Sequence, residues 1–219
     1  LKEQIGSKTV TKIEIPNYIT DNLKYNLFDW QKDAIRHFLA FNESEYEFDK
    51  PEEAPYHLLF NMATGTGKTL LMAGLILYYY KKGYRSFIFF VNQNNIVDKT
   101  ENNFIDKNHT KYLFNQNIVI DEKNIKIKKV ETFSNDSDNI EIKFTSIHKL
   151  HNDIYKVREN AVYLEDLQKR DIIMLGDEAH HLNADTKKKK NNQIEASLEY
   201  TEELTEKAGQ EAIEKSWEN

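Results

Sequence analysis

Residues 56–69 read Tyr56-His57-Leu58-Leu59-Phe60-Asn61-Met62-Ala63-Thr64-Gly65-Thr66-Gly67-Lys68-Thr69, and an apolar stretch follows from Leu70 to Tyr80. The first part, Tyr56 to Met62, is a short apolar run that predicts a buried strand. The second predicts a helix from Lys68 to Lys82, closed by Gly83, where a helix C-terminal glycine belongs. Between them lies a turn of Gly and Thr. A strand, a glycine-rich turn ending Gly-Lys-Thr and a helix form the context of a phosphate-binding loop. Gly65 and Gly67 let the backbone close around phosphate oxygens. Successive N–H groups and the helix N-terminus favour an anion. Lys68 supplies charge to the outer phosphates, and the Thr69 hydroxyl suits Mg²⁺. The general pattern places a glycine six residues before the lysine, where this chain has Met62.

Outward from this loop, apolar strands alternate with helices. Ser86–Val91 (SFIFFV) and Asp171–Gly176 (DIIMLG) predict buried strands, with further strands at Asn117–Ile120, Ile125–Val130 and Ile140–Phe144. The last two alternate polar and apolar residues, so they predict half-exposed or edge strands. Helices are expected over Asn92–Ile105 and Asn152–Lys169, and an acidic one from Gln193 to about Lys215. Asp29 is expected to cap a helix from Trp30 to Phe41, whose apolar residues recur at helical spacing. Asn42–Pro55 reads as a surface loop, and Val10–Ile15 as a strand or extended arm closed by Pro16. Such alternation predicts an α/β fold of three layers with a mostly parallel sheet.

Composition sets limits. The chain has 219 residues, a formal net charge of −6 and no cysteine. Disulfide frameworks, zinc-finger sites and thiol catalysis are excluded. No apolar run approaches the ~20 residues that cross a bilayer, and no secretory leader is expected. A reducing, cytoplasmic setting follows as the expectation. The acidic balance argues against a polybasic nucleic-acid binder but leaves room for a local basic track. Lys187–Lys190 reads as a solvated loop rather than a DNA contact, and the lysines at 123, 126, 128 and 129 as an exposed face.

A phosphate loop needs a carboxylate for its metal at the end of another parallel strand. Ile172-Ile173-Met174-Leu175-Gly176-Asp177-Glu178-Ala179-His180 offers one. Asp177 would hold Mg²⁺, and Glu178 would orient and deprotonate the attacking water, the two roles that in-line phosphoryl transfer asks for. Zinc binding by His180, His181 or the His148-x-x-His151 pair is not expected without a second ligand cluster.

The pair of motifs Ala63–Thr69 and Asp177-Glu178-Ala179-His180 resembles motifs I and II of superfamily 2 helicases and translocases. Phe28-Asp29-Trp30-Gln31-Lys32-Asp33-Ala34-Ile35 looks like the glutamine motif of that superfamily. The Met-Ala-Thr-Gly-Thr-Gly-Lys-Thr form of the loop, the doubled histidine after Ala179 and the charged segment beyond it are most similar to the Res subunit of type III restriction enzymes. The motor subunit of type I enzymes is the near neighbour.

The resemblance covers roughly residues 27–182 and implies a RecA-like lobe that binds ATP and Mg²⁺. Phe28 and Gln31 would meet the nucleotide, with Gln31 reading the adenine edge. Ala63, Thr64, Gly65, Thr66, Gly67, Lys68 and Thr69 would surround the phosphates. Lys68, Asp177 and Glu178 would carry the chemistry, Thr69 and Asp177 would hold the metal, and His180 would couple hydrolysis to motion. Asn92 and Gln93 after one strand, and Thr145 and Ser146 after another, would grip DNA phosphates.

The implied partners are double-stranded DNA, a second RecA-like lobe and a nuclease domain of the same full-length protein, and a modification methyltransferase subunit. No membrane partner is expected. The expected organisation is an N-terminal arm over residues 1–26 and a first motor lobe over 27–219. That lobe would include a charged helical segment, 184–219, and be cut before its next motif. Rival readings are a type I restriction motor, another superfamily 2 DNA or RNA helicase lobe, and a non-catalytic nucleotide-binding or docking module. A phosphoryl-transfer kinase is disfavoured by the Asp-Glu-Ala-His strand end.

Overall fold

The computed structural model describes residues 10–43, 57–91, 94–146, 149–150, 167 and 169–177. The chain divides into two units, Leu1–Lys50 with Phe60–Glu178, and Pro51–Leu59 with Ala179–Asn219. Nearly all described residues belong to the first. Expectations for the charged helix ending at Lys169, for Lys187–Lys190 and for the acidic C-terminal helix fall almost wholly outside the described residues.

The order of elements is α1 (Asn17–Thr20), α2 (Asp29–Glu43), α3 (Lys68–Lys81), β1 (Ser86–Val91), α4 (Asn94–Ile105), β2 (Ile118–Ile120), β3 (Lys123–Ile125), β4 (Ile127–Lys129), β5 (Ile140–Ser146) and β6 (Ile172–Gly176). Four strands form a sheet in the order β4-β5-β1-β6, and every pairing in it is parallel. β2 and β3 form a separate antiparallel pair. The α/β architecture with a parallel sheet is the one expected of a RecA-like lobe.

Aromatic packing fixes one face of the sheet. Phe89 and Phe144 are register partners on β1 and β5, with ring centroids 5.8 Å apart. Phe104 of α4 closes on both, at 5.2 and 5.9 Å, and Phe114 lies behind it. All four rings are buried. Helix α3 is apolar all round, as a fully buried helix must be, and nine of its residues are buried. Its C-terminus closes with Gly83 at φ +104°. Gly83 N–H donates to Tyr80 O and Tyr84 N–H to Tyr79 O, the paired bonds of a Schellman cap.

The small β2–β3 pair is tied to the N-terminal region by one side chain. Asn22, buried, donates through Nδ2 to Val119 O and accepts Val119 N–H on Oδ1. Leu23 and Phe114 form an adjoining bridge. The β2–β3 turn holds Asp121 and Glu122 at φ 52° and 63°.

Five local expectations need correction. Residues 57–63 make no strand pairing, and Leu59 is exposed; the described sheet ends at β6, where Met174 is also exposed. Val10–Ile15 turns rather than extends. Val10 packs with Ala40, Ile13 packs against that pair, and Ile13 N–H donates to Val10 O; a strand would send Val10 and Ile13 to opposite faces. Ile125–Val130 splits at Lys126, giving β3 to one sheet and β4 to the other.

Ile140–Phe144 lies in the interior strand β5 and is buried along its whole length. The segment leading into it supplies partners for its charged residues. Glu141 takes the Ser134 N–H and hydroxyl, and Lys143 donates to Glu131 O at 2.9 Å. Finally, Asp29 is the first residue of α2 rather than its cap. Phe28 holds the cap position, and its N–H donates to Gln31 Oε1 at 2.8 Å, the backward half of a capping box.

Candidate nucleotide site

The loop between Met62 and Thr69 turns on two glycines, Gly65 at φ +81° and Gly67 at φ +82°. Residues with a Cβ are strained there, which accounts for both. Met62 is not among the positive-φ residues, so the position where the general pattern has glycine does not need one here. Thr66 Oγ1 donates to Ala63 O at 2.6 Å and tightens the turn. Gly67 then starts α3 with its carbonyl, accepting Leu70 and Leu71 N–H. No side-chain hydrogen bond caps this end of the helix, and a helix N-terminus favours an anion. Lys68 reaches back, and its Nζ donates to Met62 O at 3.4 Å.

Helix α2 holds this loop in place. Gln31 is fully buried. Its Oε1 is occupied by the Phe28 N–H, and its Nε2 donates to Thr66 O at 3.2 Å and Gly67 O at 3.0 Å. The approach is so close that a Cβ on Gly67 would stand 2.3 Å from Gln31 Nε2. Trp30 adds a second donor, Nε1–H to Thr66 O at 3.1 Å. Its ring stacks on Phe28, with centroids 4.5 Å apart and planes 15° apart, and both rings are half exposed.

Asp177 follows β6, and its N–H donates to Phe90 O of β1 at 3.1 Å. Gly176 permits that approach, because a Cβ there would lie 2.7 Å from the Phe90 ring. Since β1, β5 and β6 are parallel, Asp177 stands at the same end of the sheet as Val91 and Ser146. In open α/β sheets that is the end where ligands bind.

Not every expected residue is displayed. Glu178, His180, Asn92 and Gln93 lie outside the described residues. Thr145 and Ser146 are buried, at 1% and 2% exposure. The Thr145 hydroxyl donates to Ser146 O, and Ser146 Oγ accepts Lys149 N–H, so neither hydroxyl faces solvent. Two positions escaped the sequence reading. Trp30 was legible only as an apolar residue of α2, and Gly176 only as the end of a strand.

The family described as "Type III restriction enzyme, res subunit" matches residues 24–206. This chain belongs to that family. It is similar to the probable type III restriction-modification enzyme HindVIP Res subunit of Haemophilus influenzae, with 54% identity over 208 residues, 94% of this chain and 40% of that protein. The chain thus spans well under half the length of this curated relative. No solved structure matches it. The parallel-sheet α/β lobe described above fits membership of this family. Among the described residues no helix is long and apolar enough to cross a membrane, and none group as a His, Asp and Glu metal cluster.

Proposed function

We propose that this chain is the first RecA-like lobe of a type III restriction Res subunit, and that it binds ATP with Mg²⁺ to drive movement along double-stranded DNA. The observation that carries this reading is the loop geometry. Two left-handed glycines bend the backbone, α2 pins its carbonyls, and the uncapped N-terminus of α3 follows directly. The space that a side chain would fill at Gly65 is empty, which suits a phosphate lying against the backbone. The donor set also suits the metal: the Thr69 hydroxyl and the Asp177 carboxylate are hard oxygen ligands of the kind Mg²⁺ takes.

In this reading the Lys68 ammonium neutralises the outer phosphates. Thr69 and Asp177 would hold the metal, whose positive charge would be supplied at the phosphates. Glu178 takes a proton from the attacking water. Ala63, Thr64, Gly65, Thr66 and Gly67 offer backbone to the phosphates, Phe28 meets the base, and His180 links hydrolysis to motion. For Gln31 to read adenine, its amide must exchange a protein partner for the base. Asn92, Gln93 and the end of β5 at Thr145 and Ser146 form the DNA track. The working assembly includes a second RecA-like lobe, a nuclease domain and a modification methyltransferase subunit, and acts in the cytoplasm. The proposed lobe spans residues 27–219, after an arm over 1–26 and with the charged segment 184–219 as part of it.

Calorimetric titration with a slowly hydrolysed ATP analogue and Mg²⁺ tests the site. Replacing Lys68 with alanine removes a charge-assisted contact and should weaken binding roughly 10–100-fold. Equal affinity in Lys68→Ala and the unmodified chain overturns the assignment.

A further inference from the structure

The Thr66 carbonyl accepts two donors from α2, the Trp30 indole N–H at 3.1 Å and the Gln31 amide at 3.2 Å. A trans peptide sets its N–H opposite its C=O. Drawing the Thr66 carbonyl toward α2 therefore turns the Gly67 N–H away from α2. The same holds for the Gly67 carbonyl, held by Gln31 at 3.0 Å, and the Lys68 N–H. These are the two amides at the mouth of α3, and their direction decides whether an anion meets them squarely. The left-handed φ of Gly67 leaves that peptide softer than its neighbours, so the direction needs an external anchor.

Trp30 differs from Gln31 in what else it touches. Its other face lies flat on Phe28. It is half exposed, so the stack contributes little to the core. A large aromatic left in solvent beside a functional loop, with its only polar atom spent on that loop, needs a reason beyond packing. We propose that Trp30 is a positioning residue: its indole N–H aims the phosphate loop, and its ring joins that loop to Phe28, so that contact at the base end and contact at the phosphate end reinforce each other. The inference rests on the nucleotide-site reading above.

The test separates the two ends with two probes, a slowly hydrolysed ATP analogue and inorganic tripolyphosphate, which has no base, each with Mg²⁺. Both are titrated calorimetrically into the unmodified chain, Trp30→Phe and Trp30→Leu. Trp30→Phe keeps a ring against Phe28 and loses the N–H. It should weaken both probes by the same factor, roughly 2–10-fold, the worth of one hydrogen bond. Trp30→Leu also loses the stack, so the preference for the ATP analogue over tripolyphosphate should fall as well. Thermal melting of both variants should stay close to that of the unmodified chain.

Unchanged affinity for both probes in Trp30→Phe overturns the proposal and leaves the nucleotide site standing. An equal loss for both probes in Trp30→Leu, matched by a drop in melting temperature, marks a merely structural residue and also overturns it. Failure of the unmodified chain to bind either probe removes the nucleotide-site reading, and this proposal with it.

Discussion

At the scale of single residues, the two loop glycines are not equivalent. Both sit at φ near +80°, where an L side chain costs about 1–2 kcal/mol. Around Gly65 a Cβ would meet nothing within 4 Å, whereas at Gly67 it would meet Gln31 Nε2 at 2.3 Å. Gly65→Ala should therefore lose only the conformational term in urea unfolding of the unliganded chain. Gly67→Ala should lose about 1–3 kcal/mol more, because Gln31 must give up its hydrogen bonds to Thr66 and Gly67. Truncating Gln31 removes the obstacle, so the extra cost should shrink in the Gln31→Ala background. Equal losses at the two glycines, or strict additivity in the double variant, would show that the contact does not set the energy. Gly176 obeys the same logic against Phe90, and it is what lets the backbone of Asp177 reach β1.

At the scale of elements, β5 holds the clearest lesson. Its sequence, IEIKFTS, alternates like a half-exposed strand, yet all seven residues are buried. Burial raises the cost of the Glu141 charge, but the two donors from Ser134 and a contact from Ser137 outweigh it, so its pKa lies below the usual 4.5. A carboxylate stabilised in this way supports the fold above that value, and the support fades as pH falls through the lowered value. Ser134→Ala removes the hydroxyl donor and should cost roughly 1.5–3 kcal/mol near neutral pH. The deficit should narrow in acid, where Glu141 is protonated. Urea midpoints across that range check this, and a pH-independent deficit would assign the loss to packing instead.

Periodicity reports which residues alternate, not whether a later segment returns to cover the polar face. Ser134 and Glu131 do so here, and nothing in the order of residues 140–146 announces it. The same blindness applies at Val10–Ile15, where the residues alternate but Val10 and Ile13 join one cluster with Ala40. The phosphate loop was legible because its constraint is local: the glycines, the lysine and the following helix are contiguous. The anchoring by Trp30 and Gln31 was not, because it joins residues 35 and 36 positions apart.

For the whole molecule, the tyrosines set an upper limit on pH. Tyr18 and Tyr79 are pushed up to about 12 from 10.0, chiefly by burial, with nearby Glu43 adding at Tyr18 and Tyr84 at Tyr79. Burial also raises Tyr78, Tyr80 and Tyr112, and the Arg85 guanidinium moderates the rise at Tyr80. Each group binds its proton more tightly folded than unfolded. Each therefore contributes stability that is intact below 10 and is lost as pH rises through the folded value. Since they span α1, α3 and the approach to β2, alkaline unfolding should be one cooperative event. Ionisation of these five tyrosines and loss of helical circular dichroism should rise together above pH 10; their ionisation near 10.0 in a chain that stays folded would contradict the shifts. One further consequence belongs to this scale. β2 is a short apolar strand, Ile118-Val119-Ile120, whose middle residue turns its peptide groups outward from the hairpin. The Asn22 amide takes both of them, so a side chain stands where a further strand would dock. A foreign chain finds no vacant hydrogen-bonding groups on Val119, so the outer side of this hairpin is closed to a further strand at that residue.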